Sequence, residues 1–260
     1  MLKRRSNDGG FTFCNPLPSS LSETFYAVYI LNAINVEIEN EEKLVEFLLS
    51  RIDTNVHSIF YVYSTLSILN VDLPDYSEFL LQRLEEAMNR KYQSDLGREF
   101  GITATYSFEN PNILREIYMI VTSLRLVGTD IPENVYDFVK QFKRDGGYGI
   151  GRANLKDTFY ATSILGDRDV LNFVIEHECE EGGFAKHPHA YPPYLEETFY
   201  AVSILNIIGY NYGNEKTIKY ILSLQNPDGG FRRSIYGGIS TLEDSYYAIA
   251  SLKLMEVELR

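Results

Sequence analysis

A two-part motif recurs along this chain and constrains its fold more than any other feature. The first part is a Gly-Gly-aromatic turn. The second follows after a short spacer and consists of an acidic residue, a small hydroxyl residue, two aromatic residues and an alanine. Four copies are nearly complete, and their second parts begin at Glu23, Asp157, Glu197 and Asp244. Such recurrence is typical of repeat architectures, in which each copy is one structural unit.

Two degenerate copies, Ser58-Ile59-Phe60-Tyr61 and Glu116-Ile117-Tyr118-Met119, lie between the first and second complete copies. The six starts are at positions 23, 58, 116, 157, 197 and 244, and the step from 58 to 116 is the longest. We therefore expect an insertion near residues 82–111, a polar stretch that suits a mobile loop or an extra helix over one end of the structure.

Each copy is predicted to begin a helix, and a second helix separates it from the next copy. Apolar residues between the motifs recur with a period near 3.6, as at Val135, Phe138, Val139 and Phe142. We interpret the Gly-Gly step as a C-cap signal after the second helix, and the hydroxyl residue beside the acid as the N-cap of the next one. No strand signal competes, so the chain is predicted to be all-α.

These helical hairpins are expected to close into a ring of six inner and about five outer helices, with residues 1–260 forming a single domain. One outer helix is missing because the chain begins at a Gly-Gly turn and ends soon after the sixth inner helix. The missing helix predicts an open seam, which would stay open or be closed by self-association or by a protein partner.

Composition excludes several classes of partner. The formal net charge of −12, from 24 basic and 36 acidic residues, argues against nucleic acid or an anionic membrane as the main partner. No apolar run has the roughly 18 residues that a membrane span needs. The basic start Met1–Arg5 precedes no signal-peptide core, so a cytoplasmic location is expected. Cys14 and Cys179 are too few and too far apart for a disulfide framework.

The stretch from Leu222 to Phe231, followed by Glu243 to Ala248, resembles the prenyltransferase and squalene-oxidase repeat, and the likeness extends over nearly the whole chain. The resemblance implies an α/α toroid whose inner helices surround a deep apolar cavity. It is less specific for chemistry, since the superfamily includes protein prenyltransferase β-subunits, terpenoid cyclases and repeat proteins without a demonstrated reaction.

The zinc prenyltransferases of this superfamily hold their metal with an Asp, a Cys and a His. Asp157 matches the metal Asp, but Phe159 stands where the Cys belongs, and Asp244 lies near the place of the His. A thiolate-zinc mechanism is therefore not supported, and we expect neither a resident metal nor another cofactor. Mg²⁺ remains possible with a diphosphate ligand.

Arg152 and Lys156 resemble the basic residues that hold the diphosphate of the isoprenoid donor in those enzymes. Cationic groups at a helix N-terminus favour such an anion inside a cavity. The alternative is that both are solvated surface charges.

The cyclases of the superfamily protonate their substrate with an Asp-rich motif, and this chain keeps paired acids in that frame. The pair Glu243 and Asp244 is one match, and the pair Glu196 and Glu197 is another. Adjacent buried acids that share a proton make a usable general acid. We name Glu243, Asp244, Asp157 and Glu197 as catalytic candidates, with a repeated role at helix starts as the alternative.

Aromatic pairs occupy equivalent places in the inner helices. Neighbours on a helix diverge by about 100°, so one ring of each pair is expected to face the cavity and the other the outer layer. We assign Tyr160, Tyr200 and Tyr247 to substrate binding, because aromatic faces suit an isoprenoid chain or a carbocation. Core packing explains the same stripe.

The leading hypothesis is an isoprenoid- or lipid-binding toroid that acts on a prenyl diphosphate as a prenyl transferase or an acid-initiated cyclase. The alternative is a non-catalytic toroid that serves as a protein-interaction module.

Overall fold

The computed structural model describes residues 2–14, 16–90 and 112–258. Within these ranges the chain forms eleven α-helices, six inner and five outer. The inner helices are α1 (Leu21–Ala33), α3 (Val56–Ile68), α5 (Ile113–Leu126), α7 (Leu155–Leu165), α9 (Leu195–Ile207) and α11 (Leu242–Leu254). The outer helices are α2 (Glu41–Arg51), α4 (Ser77–Asn89), α6 (Glu133–Lys140), α8 (Leu171–Ile175) and α10 (Glu215–Ser223). The predicted all-α toroid of helical hairpins is confirmed, and its expected six inner and about five outer helices match the number in the described residues.

The inner helices form a closed ring in which each packs on the next in chain order and α11 packs on α1. Within the described residues the outer layer has one helix fewer than this ring. A short 3-10 helix, Leu2–Arg4, stands before the first Gly-Gly turn, where an outer helix stands before the later ones. The first residues of the expected insertion, 82–89, belong to α4, and residues 91–111 lie outside the described ranges.

The hydroxyl residue of the motif ties each turn to the helix that follows it. The backbone N–H of Phe184 donates to Thr198 Oγ1 at 3.0 Å, and that hydroxyl donates to the Tyr194 carbonyl at 2.8 Å. Equivalent bonds join Phe11 to Thr24, Tyr148 to Thr158 and Phe231 to Ser245. All four hydroxyl residues are buried. This bond explains why the two parts of the motif occur together.

The predicted N-caps are therefore wrong. The side chains that cap these helices are Ser20, Asn154 and Thr241, and each accepts from the backbone N–H of the acid three residues later. The acid thus occupies the third helical position, as in a capping box. The hydroxyl residue comes one place after it, where its side chain faces the turn instead of the first helical amides.

The Gly-Gly pair is also not the C-cap that was expected, because after α6, α8 and α10 it lies several residues beyond the end of the helix, within a tight turn. Gly9 and Gly182 have φ angles of +97° and +93°. A Cβ at Gly9 would lie 2.5 Å from the Lys43 carbonyl oxygen, and one at Gly182 would lie 2.4 Å from the Lys216 carbonyl carbon. Both positions require glycine because the turn packs on the backbone of the next outer helix.

A short extended segment accompanies each complete turn, which the sequence analysis missed. Strands β1 (Lys143–Arg144) and β2 (Gly147–Tyr148) pair antiparallel around one turn. Single bridges such as Phe184 with Tyr194 hold the others. These contacts fix the loops that lead into the inner helices, at the end of the ring where those helices begin.

Candidate functional site

The lumen of the ring is crossed by a layer of aromatic side chains, one from each inner helix. Its members are Phe25, Phe60, Tyr118, Phe159, Phe199 and Tyr246, and five of the six neighbouring pairs have ring centroids 5.4–5.8 Å apart. Tyr61 bridges the remaining pair. The rings are tilted towards one another, an attractive arrangement for aromatic groups.

A second tier lies nearer the helix N-termini and consists of Tyr26, Tyr61, Met119, Tyr160, Tyr200 and Tyr247. Both members of each aromatic pair therefore line the lumen, and the expectation that one would face the outer layer is wrong. An inner helix in a six-membered ring presents a sector wide enough for two adjacent residues. The outer layer packs instead on smaller residues of the inner helices, such as Val28, Val62 and Leu66.

The aromatic layer divides the lumen into two shallow pockets. The mouth pocket, at the N-terminal end of the inner helices, has a volume of about 280 Å³. The pocket on the opposite side of the layer measures about 380 Å³ and also contacts Tyr118, Phe159 and Tyr246. The deep cavity implied by the family resemblance is thus interrupted by side chains.

Charge is unevenly distributed around the mouth. Residues at one equivalent position of the six inner helices are Ser22, His57, Arg115, Lys156, Glu196 and Glu243. Cationic groups therefore come from α5 and α7, whereas acidic groups come from α9 and α11; burial and the nearby Arg115 lower the pKa of His57 on α3. Arg115 and Lys156 both line the mouth pocket. The Lys156 Nζ lies 5.9 Å from the centroid of the Tyr200 ring.

The sequence analysis missed Arg115, although a signal was present. Arg115 occupies the repeat position of Lys156 in a degenerate copy, directly before Glu116. Its guanidinium hydrogen-bonds to the Tyr61 side chain. Arg152, in contrast, is exposed in the loop before α7 and is not among the residues that line the mouth pocket.

Arg115 and Met119 also line a side pocket of about 460 Å³ between α3, α4 and α5. Three arginines, His57 and Glu116 are the titratable residues among those that line this pocket. Glu116 pairs there with Arg83 and Arg90. The two pockets meet at Arg115, which therefore contributes its charge to both.

Glu243 is the candidate acid that lines the mouth pocket. Its Oε1 accepts hydrogen bonds from the hydroxyls of Tyr26 at 3.2 Å and Tyr247 at 3.0 Å. Burial is the main cause that raises the pKa of both tyrosines, and the nearby Glu243 carboxylate adds to it. Both hydroxyls therefore stay protonated and donate to the carboxylate.

Glu23 lies close enough to Glu243 for their charges to interact across the junction of α1 and α11. Burial, followed by repulsion from Glu243, raises the pKa of Glu23 to about 6, while Arg4 opposes the shift. One carboxyl oxygen of Glu23 is buried without a hydrogen-bond partner. This acid, which the sequence analysis did not single out, is therefore easier to protonate than an ordinary glutamate.

The other candidate acids are turned into the protein. Asp157 accepts from the side-chain amides of Asn112 at 2.6 Å and Asn154 at 2.8 Å. Thr241 Oγ1 donates to Asp244 at 2.7 Å, although burial still raises the pKa of Asp244. Burial and the neighbouring Glu196 raise the pKa of Glu197 to about 7, against opposing effects of Lys186, Lys156 and Arg233.

The residues at this site do not fit the zinc centre of the zinc prenyltransferases. Phe159 offers no ligand atom, and both oxygens of Asp157 already accept from asparagine amides. Within residues 2–14, 16–90 and 112–258, no group of three or more His, Cys, Asp or Glu side chains could hold a metal ion.

Comparisons with known proteins agree with this architecture. The family described as prenyltransferase alpha-alpha toroid domain matches residues 162–259. A solved structure titled Candida albicans protein geranylgeranyltransferase-I complexed with GGPP matches with a TM-score of 0.70 and 17% sequence identity. The match covers 90% of this chain and 83% of that one. A search of curated proteins finds no match.

None of the described helices is long and apolar enough to cross a membrane. The closed ring of six inner helices, the repeat motif and the two matches lead to one conclusion about architecture. The chain has the α/α toroid fold, and its residues 162–259 match the prenyltransferase alpha-alpha toroid domain.

Proposed function

We propose that this toroid binds a prenyl diphosphate at the mouth of its lumen. One observation carries the proposal. Arg115 and Lys156, from neighbouring inner helices, line one pocket together with the second tier of side chains. The diphosphate binds between the two cations, and the first isoprene units lie against Tyr160, Tyr200 and Tyr247.

Electrostatics favour this orientation. Arg115 and Lys156 lie in the first turns of α5 and α7, where the helix dipoles add to their attraction for an anion. Glu196 and Glu243 occupy the opposite side of the mouth and repel a diphosphate. The anion is therefore drawn towards α5 and α7. Mg²⁺ would accompany the diphosphate as part of the ligand.

The aromatic layer sets the length of chain that fits. Pockets for small molecules commonly measure about 300–1,000 Å³, and the mouth pocket, at about 280 Å³, lies at the lower end. A short chain such as geranyl fits above the layer. A geranylgeranyl chain must continue into the side pocket through Arg115 and Met119. We therefore expect affinity to fall from geranyl to geranylgeranyl diphosphate.

A thermal-shift series with geranyl, farnesyl and geranylgeranyl diphosphate tests the binding proposal. We expect the largest shift with geranyl diphosphate, and expect Arg115→Gln and Lys156→Gln each to remove most of it. Arg152→Gln is the matched control, because Arg152 is exposed outside the mouth pocket. Absence of a shift with all three ligands, or loss of the shift only in Arg152→Gln, contradicts the proposal.

If the bound ligand reacts, Glu243 is the candidate acid because its carboxyl lies in the mouth pocket, and it would have to take up a proton in place of the hydrogen bonds from Tyr26 and Tyr247 before it could protonate the ligand. Acid-initiated cyclisation is then better supported than thiolate-zinc prenyl transfer. Glu243→Gln should abolish any cyclised product while retaining the thermal shift. Product that persists in this variant excludes Glu243 as the acid.

The rival function is a non-catalytic toroid that holds a protein partner. The layer of six side chains across the lumen favours it, since that layer occupies space that a long substrate would need. A pull-down that returns one stoichiometric protein partner would support this rival function if no prenyl diphosphate shifts the melting temperature.

A further inference from the structure

Four loops lie at the mouth of the lumen, before α1, α7, α9 and α11, and their composition differs from that of the rest of the chain. We call them the rim loops: residues 12–14 with 16–20, 149–154, 185–194 and 232–241, each between a Gly-Gly-aromatic turn and the start of an inner helix. They contain four basic residues, Arg152, Lys186, Arg232 and Arg233, and no acidic residue. The whole chain, in contrast, has a net charge of −12.

The rim loops also carry much of the exposed apolar surface. Of the twelve large hydrophobic side chains that are exposed in the described part of the chain, six lie in these loops: Phe13, Leu17, Tyr191, Ile235, Tyr236 and Ile239. The two most exposed are Tyr236, at 73%, and Ile239, at 70%. They flank the glycine pair at the tip of the last loop.

The loops form one connected surface at one end of the ring. The Leu195 amide, just after the third loop, donates to the Arg233 carbonyl in the fourth at 3.0 Å. Arg4 donates to the Ser240 carbonyl in the fourth loop and lies over the Phe13 ring of the first, 6.0 Å from its centroid. Because all inner helices begin at this end, the loops lie around the part of the mouth formed by α7, α9, α11 and α1.

The acidic groups nearest this surface keep their charge, but they lie inside the mouth or in the turns behind the loops. Glu196 pairs with Arg233 at 3.2 Å, and Glu243 accepts from two tyrosine hydroxyls inside the mouth. Asp8 and Asp228, in the turns behind the loops, accept from Ser19 and Ser240 respectively. The outermost residues of the surface are therefore apolar or basic.

We propose that the rim loops dock on an anionic lipid bilayer, with the mouth of the lumen facing the membrane. Exposed tyrosine and isoleucine side chains enter the interfacial region, and neighbouring lysine and arginine residues attract anionic headgroups. The sequence analysis argued against an anionic membrane from the net charge of the whole chain. That argument treats the charge as evenly spread over the surface, whereas the rim loops are locally basic.

A bilayer suits this surface better than a protein partner does. The exposed side chains stand on separate loop tips around an opening and do not line a continuous groove. Interfacial proteins combine apolar residues with basic ones in this way. The lack of acidic residues in the loops matches a partner of uniformly negative charge.

Co-sedimentation with vesicles tests the proposal, using phosphatidylcholine alone and phosphatidylcholine with 30% phosphatidylserine. We expect the full chain to bind the phosphatidylserine vesicles and to be released by high salt. The double variant Tyr236→Ser, Ile239→Ser and the double variant Lys186→Gln, Arg233→Gln should each weaken binding by roughly tenfold.

The matched control is Leu49→Ser with Leu222→Ser, which removes two exposed leucines from the outer helices and should leave vesicle binding unchanged. Circular dichroism establishes that each variant is folded. No binding of the wild type to phosphatidylserine vesicles overturns the proposal, as does an equal loss of binding in the control. Self-association or capture of a protein that depends on Tyr236, without vesicle binding, assigns the surface to that partner instead.

Docking and ligand binding are separable. The rim variants leave Arg115 and Lys156 intact, so their thermal shift with geranyl diphosphate should equal that of the wild type. Vesicles without isoprenoid test docking even if the lumen binds no prenyl diphosphate.

Discussion

Asp157 on α7 and Glu197 on α9 occupy the same position of the repeat but lie in different surroundings. Asn154 caps α7 and its side-chain amide also holds Asp157, while Asn112 supplies a second amide. Tyr194 stands at the N-cap of α9 and makes no side-chain cap bond. Glu197 is nevertheless buried, and its pKa is raised to about 7. The side chains around each acid thus determine its environment, and the shared position in the motif does not.

The largest effect expected from this comparison follows from Asp157→Asn. The substitution places a third amide beside those of Asn112 and Asn154, so at least one buried donor loses its acceptor. We expect the free energy of unfolding to fall by about 3 kcal/mol, since the lost bonds involve a charged, buried acceptor. Urea denaturation at pH 7 measures it. Asp137→Asn, at a side chain 80% exposed, is the control; equal losses would contradict the interpretation.

Glu197→Gln should have the opposite effect, and only at neutral or higher pH. Because the folded-state pKa is raised from 4.5 to about 7, ionisation favours the unfolded chain as pH rises from 4.5 to 7. Below pH 4.5 the carboxyl is neutral in both states and the variant should match the wild type. Above pH 7 the variant should be more stable by about 3 kcal/mol.

Urea denaturation of wild type and Glu197→Gln at pH 4 and pH 8 tests this prediction, with the exposed Glu180→Gln as control. A difference that is independent of pH would show that the Glu197 carboxyl titrates normally in the folded protein.

The sequence could predict the ring of helices but not the hydrogen-bond partners of the acidic side chains at the helix starts. The Gly-Gly-aromatic and acid-hydroxyl-aromatic pattern specified the helical hairpins, because the Thr198 hydroxyl and its equivalents join turn and helix within a single repeat. The pairing of Asn112 with Asp157 is different, because it joins two repeats and depends on how α5 and α7 pack. A pattern read one repeat at a time contains no such information.

The aromatic residues also show which features could be predicted from the sequence and which could not. The sequence placed Tyr160, Tyr200 and Tyr247 on inner helices, and they line the lumen. It did not predict that Phe159 and Phe199 would share the lumen with them, because the width of the sector that each helix presents depends on the number of helices in the ring. The sequence analysis missed Arg115 because the repeat copy that contains it is degenerate.

The smallest expected effect comes from a substitution on α9 that would reproduce the asparagine cap of α7. Tyr194 has φ −121° and ψ 146°, close to the extended conformation of Asn154. In Tyr194→Asn, the new amide should cap α9 and donate to Glu197, which would lower the pKa of that carboxyl by about one unit, or about 1 kcal/mol. Carbon-13 NMR of labelled glutamate carboxyls measures the change. Tyr194→Ala removes the ring without supplying an amide, so an identical pKa in both variants would refute the role of the cap.

The central claim is that a diphosphate binds between Arg115 and Lys156 at the mouth of the lumen. A crystal structure of the full chain with geranyl diphosphate tests it most directly. The account predicts the diphosphate within hydrogen-bond distance of both side chains and the geranyl chain against Tyr200 and Tyr247, above an intact aromatic layer. A diphosphate bound at Arg152, or a chain that passes through a displaced aromatic layer, would contradict it.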